Sequence, residues 1–460
     1  MTSFDAIVIG AGHNGLTAAT ALAKGGRRVI VLEAASETGG ALRGEEFHPG
    51  FRADGLAHML NRLDSDVIRL MGIPADLFDV RALPTVMLSE GREPVILEEG
   101  YGEQLFGVTP AEGEAFRQLR EKLVFQAGIL KRFLKRPPPE IGGLKAGDYA
   151  AFAASGLSLL MKGREEGRDF LRMLLMNVTD VADEYLTDDR LKALLAFDAT
   201  LGVHLGPRSP TSLLGLYYRL TGEANGRTGA QIMPKGGMAA LARAFEAGAQ
   251  AKGVTIRTGA AVARILAGRG MATGVVLASG ETLAAPVIVS AIHPQTTFLH
   301  LIDAAEIGTG FSRGIRRIRT AGQVARLDLA LDRLPAFEGV IREQLTGRIV
   351  LARSATHVED AFNPSKYGAF SDDPVMEVTL PGLTTPGLAP DGAATLSALI
   401  PFAPYRLKEG WEKGRPALQA AALAVLERHA PGIGASVRAA RLLAPPDIEA
   451  AYHMAGGHWH

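Results

Sequence analysis

The chain has 460 residues, 47% of them apolar, enough to bury the cores of two or three domains. Lys plus Arg and Asp plus Glu both total 49, a balance that argues against a nucleic-acid partner held by phosphate neutralisation. The absence of cysteine excludes disulfide scaffolds, thiolate metal sites and electron relay through a dithiol.

The N-terminus, MTSFDAIVIGAG, enters an expected strand with no basic region, apolar run or small-residue cleavage site before it, so a cytoplasmic location is expected. Asp5 to Gly10 reads as a strand, a turn runs through Gly15, a helix continues to about Lys24, and Arg28 to Glu33 reads as a second strand. The turn carries Gly10, Gly12 and Gly15 in GAGHNG, and Glu33 follows after 17 intervening residues. Gly10 permits the tight turn, Gly12 lets backbone approach a pyrophosphate, and Gly15 lets the helix pack closely on the sheet. The helix N-terminus offers N–H groups to phosphate, and Glu33 is placed to accept from ribose hydroxyls. Dinucleotide binding is the expectation, with FAD and NAD both served by such a turn. In EAASETGGAL, Gly39, Gly40 and Ala41 either bring a second glycine-lined backbone to the same cofactor or form a plain loop. No second complete G-x-G-x-x-G occurs, so no separate nicotinamide module is visible and electrons are expected from an organic substrate.

From about Asp64 to Arg227 the pattern is mostly helical, with amphipathic spacing in FRQLREKLVFQAGILKRFLK and DFLRMLLMNVTDVADEYL, broken at Pro137, Pro138 and Pro139 and at GPRSP. Between Met233 and Pro294 a helix in GGMAALARAFEAGAQAKG precedes short strands in VTIRTG, AAVARILAG, ATGVVLASGE and PVIVSAI. After Pro294 come one alternating strand, VARLDLALD, and apolar strand candidates in PVMEVTLPG and ATLSALIPF, suited to a sheet flooring a substrate pocket. No apolar stretch supplies the roughly 20 residues of a spanning helix, so a soluble or peripheral protein is expected.

The motifs VIGAGHNGL, TGGA, HPGF, MPKGGM, GVVLASG and VSAIHPQTTFLHLI together resemble the phytoene desaturase-like FAD-dependent oxidoreductases, within them the pyridine nucleotide-disulfide oxidoreductase domain-containing subgroup. The similarity runs in order from about Phe4 to Gly457. It implies an α/β fold, α+β in the substrate region: a Rossmann-type FAD-binding domain with a discontinuous substrate domain, as in amine oxidases and phytoene desaturases. The division it supports is 1–63 and 228–302 for the FAD-binding domain, 64–227 and 303–445 for the helical cap and substrate domain, and 446–460 for the start of a C-terminal FAD-binding segment. Relatives continue there into a glycine-rich segment that closes over the flavin, so the expectation is a truncated chain or loose flavin binding.

Carried across motif by motif, the resemblance implies that Gly10, Ala11, Gly12, Asn14 and Gly15 hold the pyrophosphate, Glu33 the ribose, and Gly39, Gly40 and Ala41 the middle of FAD. Val262 either holds adenine through its backbone or is ordinary strand core. The loop HPGFRADGLAHML makes Asp54, Gly55 and His58 candidates for the flavin or substrate surroundings, with His58 equally readable as a structural histidine. No catalytic acid or base is assigned. His453, His458 and His460 lack a carboxylate or thiolate partner at metal-site spacing, and no metal is expected. The segment Arg117 to Arg136 sets seven basic residues against the single acid Glu121 beside an apolar stripe of Leu119, Leu123, Leu130 and Phe133. It is either a cap helix with a solvated face or a peripheral contact with an anionic membrane.

The functional expectation is an FAD-dependent dehydrogenase or desaturase that oxidises an apolar or amphipathic small molecule by hydride transfer to flavin, with oxygen or a quinone as acceptor. The alternative is a non-catalytic or weakly flavin-binding interaction protein that keeps the scaffold. No nucleic-acid partner is expected, and oligomeric state is not legible.

Overall fold

The first forty residues alternate apolar side chains to two faces, and the chain uses both. The computed structural model describes residues 4–459 except 79–80, 135–136, 138–144 and 225. Its first elements are β1 (Ala6–Ile9), α1 (His13–Lys24), β2 (Val29–Leu32), the hairpin β3 (Glu45–His48) and β4 (Phe51–Ala53), and α2 (Ser65–Met71). There follow β5 (Thr85–Leu88), β6 (Val95–Glu98), β7 (Gln104–Phe106), α3 (Pro110–Leu134), α4 (Ala146–Lys162), α5 (Arg164–Met173), α6 (Val178–Tyr185), α7 (Asp189–Thr200) and α8 (Leu213–Leu220). A short ribbon, β8 (Glu223–Ala224) and β9 (Arg227–Thr228), leads to α9 (Gly237–Ala251), β10 (Thr255–Arg257), β11 (Val262–Gly268), β12 (Met271–Leu277), β13 (Thr282–Ala284) and β14 (Ile288–Ser290). The remainder comprises α10 (Thr309–Arg316), β15 (Val324–Leu331), β16 (Arg348–Leu351), α11 (Ala355–Phe362), β17 (Met376–Thr379), β18 (Ala394–Pro401), α12 (Trp411–His429), β19 (Val437–Leu443) and α13 (Pro445–Tyr452).

One sheet is wholly parallel, in the order β10-β2-β1-β14. Ala6, Val8, Val29 and Val31 point to one side and pack with Leu16, Ala19, Leu241 and Phe245 of α1 and α9. Ile7, Ile9, Ile30 and Leu32 point to the other and pack with Ile265, Val275 and Leu277 of the antiparallel sheet β11-β12-β13. Burial on both faces is why these strands read as continuous apolar runs. Met71, at the end of α2, belongs to this core. α9 comes so close that a Cβ on Gly248 would lie 2.1 Å from the Met71 carbonyl oxygen. α2 therefore packs on the nucleotide-side core.

The second sheet has eight strands in the order β19-β15-β18-β17-β16-β5-β6-β7. Its outer face, with Leu327, Leu329, Ile349, Val378 and Ala398, is covered by Leu418, Ala422 and Leu426 of α12. At the β5–β7 end its inner face packs against α3 and the α6–α8 helices through Met87, Leu97, Phe116, Leu123, Leu194 and Leu216. The mostly helical reading of 64–227 is thus corrected at β5 to β7, which join this sheet; their short length gave little periodicity to read. VARLDLALD is a strand, but not a half-solvated one: every residue of β15 is buried. α13 packs Ile448 and Tyr452 on Leu56 of the nucleotide-side loop. Among the described residues no helix is long and apolar enough to cross a membrane. Of the expected proline breaker only Pro137 is described; Pro138, Pro139, Lys135, Arg136 and His460 lie outside the described residues.

Candidate nucleotide and substrate site

The three glycines of the first turn are glycines for different reasons. Gly10 sits at φ +97°, a region L side chains rarely enter, and a Cβ there would lie 2.9 Å from Ile292. At Gly15 a Cβ would fall 1.9 Å from the Gly10 carbonyl oxygen, so the first turn of α1 can ride against the loop only without a side chain. Gly12 has an ordinary extended backbone (φ −71°, ψ 172°), and a Cβ on it would meet nothing within 4 Å. No protein atom requires glycine there. The open space lies at the N-terminus of α1, where Gly12 is the N-cap and the first turn carries no acidic residue to satisfy the helix dipole. Asn14 is exposed in that turn and Ala11 is buried beneath it.

Glu33 locks the same turn. One carboxylate oxygen accepts from the Ala11 N–H at 2.7 Å and the other from the Ala35 N–H at 2.9 Å. Each oxygen keeps lone pairs for a further donor, the requirement for holding a ribose diol. Gly39, at φ +108°, donates its N–H to the Ala11 carbonyl at 3.0 Å and pairs with Gly12 in an isolated parallel bridge. A Cβ on Gly40 would lie 3.4 Å from the Gly12 Cα. The two glycine turns expected to serve one ligand are therefore in contact. Val262 is half-buried at the start of β11 and packs with the Ile7, Ile9 and Leu32 face of the parallel sheet. Open space beyond Gly12, a helix N-terminus with no acidic residue in its first turn and an acceptor carboxylate fit the pyrophosphate and ribose of FAD.

The second turn continues into the 54–58 loop. The Ala41 carbonyl accepts from the N–H groups of Leu56 (2.8 Å) and Ala57 (3.2 Å). Asp54 caps α9: its carboxylate accepts from Met238 N–H at 2.9 Å and Ala239 N–H at 3.3 Å. Burial pushes its carboxyl up, and those hydrogen bonds oppose the rise. Gly55, at φ +78°, leaves room for the Ala41–Leu42 backbone, and its carbonyl accepts from the Arg326 guanidinium of β15. That bond ties the nucleotide-side loop to the large sheet. His58 is 7% exposed and has neither ring nitrogen in a hydrogen bond; its Nδ1 lies 3.7 Å from Glu377 on β17. Burial lowers the imidazole below its ordinary value.

Facing this loop, the inner side of the large sheet carries a buried polar row. Strand register aligns Arg441, Asp328, Ser397, Thr379, Arg348 and Thr85 across six neighbouring strands. Asp328 accepts from Arg326 Nε (2.8 Å), Ser397 Oγ (2.7 Å) and Arg441 Nη2 (2.8 Å). Arg348 holds Asp198 of α7 through two bonds and Glu377 through a third at 2.8 Å. Burial pushes the Glu377 carboxyl up, but His58 and the Arg348 charge outweigh it and bring it down to about 2. The row is a hydrogen-bonded set of buried charges and hydroxyls with a histidine above it whose pKa burial lowers, an arrangement able to accept a proton at one point and hold fixed charge elsewhere.

Residues 15–349 match the model of the flavin-containing amine oxidoreductases. The chain belongs to that family. It is 30% identical to pyridine nucleotide-disulfide oxidoreductase domain-containing protein 2 of Mus musculus, over 99% of this chain and 83% of the mouse protein. It is 25% identical to phytoene dehydrogenase of Streptomyces griseus, over 98% of this chain and 84% of that enzyme. The crystal structure of a putrescine oxidase bound to putrescine superposes with a TM-score of 0.58 at 16% identity, covering 99% of this chain and 87% of that one, a likeness of fold. A parallel Rossmann-like sheet joined to a mixed substrate-domain sheet is this flavin-containing amine oxidoreductase architecture.

Gly10, Ala11, Gly12, Gly15, Glu33, Gly39, Gly40 and Ala41 lie together in one cradle. Asp54 is a helix cap and Gly55 a close-packing glycine. Asp198, Arg326, Asp328, Arg348, Glu377 and Arg441 escaped the sequence reading altogether. For Arg326 and Asp328 the one signal is charge of both signs at alternate positions inside the apolar strand VARLDLAL, which a surface strand shows equally, and Asp198 lies in a helix.

Proposed function

We propose that this flavin-containing amine oxidoreductase is an FAD-dependent dehydrogenase or desaturase acting on an apolar or amphipathic organic substrate, with oxygen or a quinone accepting the electrons. The observation that carries the reading is Gly12, a glycine that the protein itself does not need, beside the acceptor carboxylate of Glu33. FAD, when bound, would supply two-electron redox chemistry with the flavin as hydride acceptor. The chain's residues do the holding: the α1 N-terminus and Gly12 receive the pyrophosphate, Glu33 the ribose, and the Gly39–Ala41 turn borders the middle of the cofactor. The polar inner face of the large sheet orients the substrate opposite the 54–58 loop. A lipophilic substrate is supported by the likeness to a phytoene dehydrogenase, and a single dinucleotide fingerprint argues for electrons from substrate rather than nicotinamide.

The test is to release the cofactor of the purified protein by heat, identify it by chromatography, and then titrate the flavin anaerobically with polyenes, amines, NADH and NADPH. FAD bleached by an organic substrate and not by nicotinamides is expected. Recovery of NAD without flavin, or rapid stoichiometric reduction by NADH, overturns the reading.

A further inference from the structure

The basic, amphipathic helix, readable from sequence either as a cap helix or as a membrane contact, has its apolar stripe turned inward. Leu119 and Leu123 of α3 are at most 1% exposed and Leu130 packs on the same core. Its basic residues are largely neutralised from elsewhere: Arg117 by Glu114 and Glu121, Arg120 by Glu103, Lys122 by Asp169 and Lys131 by Glu223. That helix is a cap helix with its apolar face buried.

The next helix is built the other way round. α4 turns its small residues Ala151 and Ser155, each 7% exposed, toward the protein. It turns Tyr149, Phe152, Leu157, Leu160 and Met161 outward, at 61, 45, 58, 72 and 81% exposure. Positions 149, 153, 157 and 160–161 follow helical spacing, so the outward residues form one continuous stripe about 18 Å long. Asp148 and Lys162 are the only charged residues in the seventeen of this helix. The helix is nevertheless firmly seated: Arg132 donates to the Ala154 carbonyl at 2.9 Å and to Ser158 Oγ at 2.8 Å, Phe133 meets Phe152 at 5.3 Å between ring centroids, and Lys162 lies over the Phe125 ring. A fixed helix that shows water its more apolar side marks an interaction surface.

Charge selects the partner. Among the described residues from Lys131 to Lys162, Lys131 is paired with Glu223, and Arg132, Lys145 and Lys162 stand against the one acid Asp148, a local excess of two, while the whole chain balances 49 against 49. A local cationic excess bordering an exposed apolar stripe complements anionic headgroups over acyl chains. The stripe is too short to span a bilayer and suits a helix lying in the interface. We infer that α4 docks the protein on an anionic lipid surface, its outward stripe entering the headgroup boundary. The inference stands apart from the redox reading and survives if that reading fails.

The experiment is co-sedimentation of the full chain with vesicles of phosphatidylcholine alone and of phosphatidylcholine with phosphatidylglycerol, beside the triple variant Leu157→Ser, Leu160→Ser, Met161→Ser. Because these side chains are largely in water, the variant should keep its melting temperature and far-ultraviolet dichroism. Binding to the anionic vesicles, weakened at least about tenfold by raised salt and by the triple substitution, is expected. No binding to either vesicle, or undiminished binding by a folded triple variant, overturns the inference. So does sedimentation equilibrium showing self-association that the triple substitution abolishes, since the stripe would then serve a second copy of the chain.

Discussion

The carboxylate of Asp198 and the guanidinium of Arg348 meet through two hydrogen bonds, 2.6 and 2.8 Å long, with neither side chain exposed. Asp198 comes from a helix of the cap and Arg348 from the middle of the large sheet, so the pair joins the two. Tyr101 adds its hydroxyl to Asp198 at 2.7 Å, and Thr85 accepts from Arg348 Nε at 3.0 Å. Removing Arg348 leaves Asp198 with Arg219 at 3.3 Å and strips Glu377 of its guanidinium, and removing Asp198 leaves Arg348 with Glu377 as its carboxylate partner, so either loss unbalances a buried cluster of charges.

Arg348→Met should therefore destabilise the protein by about 3–5 kcal/mol, and Asp198→Asn by a similar or smaller amount because the amide still accepts one bond. The double variant Arg348→Met, Asp198→Leu should cost less than the sum of the single losses. Urea unfolding followed by circular dichroism gives the cycle; strict additivity would mean that the pair is not coupled.

The contrast between Gly12 and Gly15 separates binding from folding. Gly12→Val adds a side chain where the protein has no atom within 4 Å, so the melting temperature of the cofactor-free protein should stay put while FAD affinity falls roughly tenfold or more. Gly15→Ala drives a Cβ into the Gly10 carbonyl and should destabilise the cofactor-free protein itself, by about 1–3 kcal/mol or beyond. Calorimetry of both apoproteins with FAD titration by fluorescence distinguishes them. Equal loss of stability in the two variants would contradict the reading of Gly12.

Acid should unfold the protein in two stages. His58 faces Glu377, Arg326 and Asp328, and burial holds its folded pKa below the ordinary 6.5, so the unfolded state binds its proton first and stability falls as pH drops below about 6.5. Glu377 is depressed from 4.5 to about 2 in the folded state; its contribution is complete above 4.5 and is lost as pH falls toward 2. His58→Gln should flatten the urea midpoint between about pH 7 and pH 5 and leave the steeper acid loss in place. An unchanged upper limb would show that His58 titrates normally.

The glycine turn and its acid were legible because each of their parts is local. Gly10 to Glu33 is one strand-turn-helix-strand unit in which the backbone, not a distant partner, dictates residue type. Short-range periodicity likewise exposed α9 and β15. It misplaced β5 to β7, three or four residues each, because such strands exist only through the neighbours that pair with them. For the α3 stripe it left a cap helix and a membrane contact both open, since periodicity states that a helix has an apolar face and not what covers it.

What the amino-acid order alone determined was the glycine turn with its acid and, through the motif series, the family. The register that lines up Arg441, Asp328, Ser397, Thr379, Arg348 and Thr85, the seating of His58 over Glu377 and the outward stripe of α4 were decided by tertiary structure. A buried charge is tolerable only where its counter-charge stands, and that partner lies 150 residues away for Asp198 and Arg348. Separation along the chain carries no signal; only packing brings the two together.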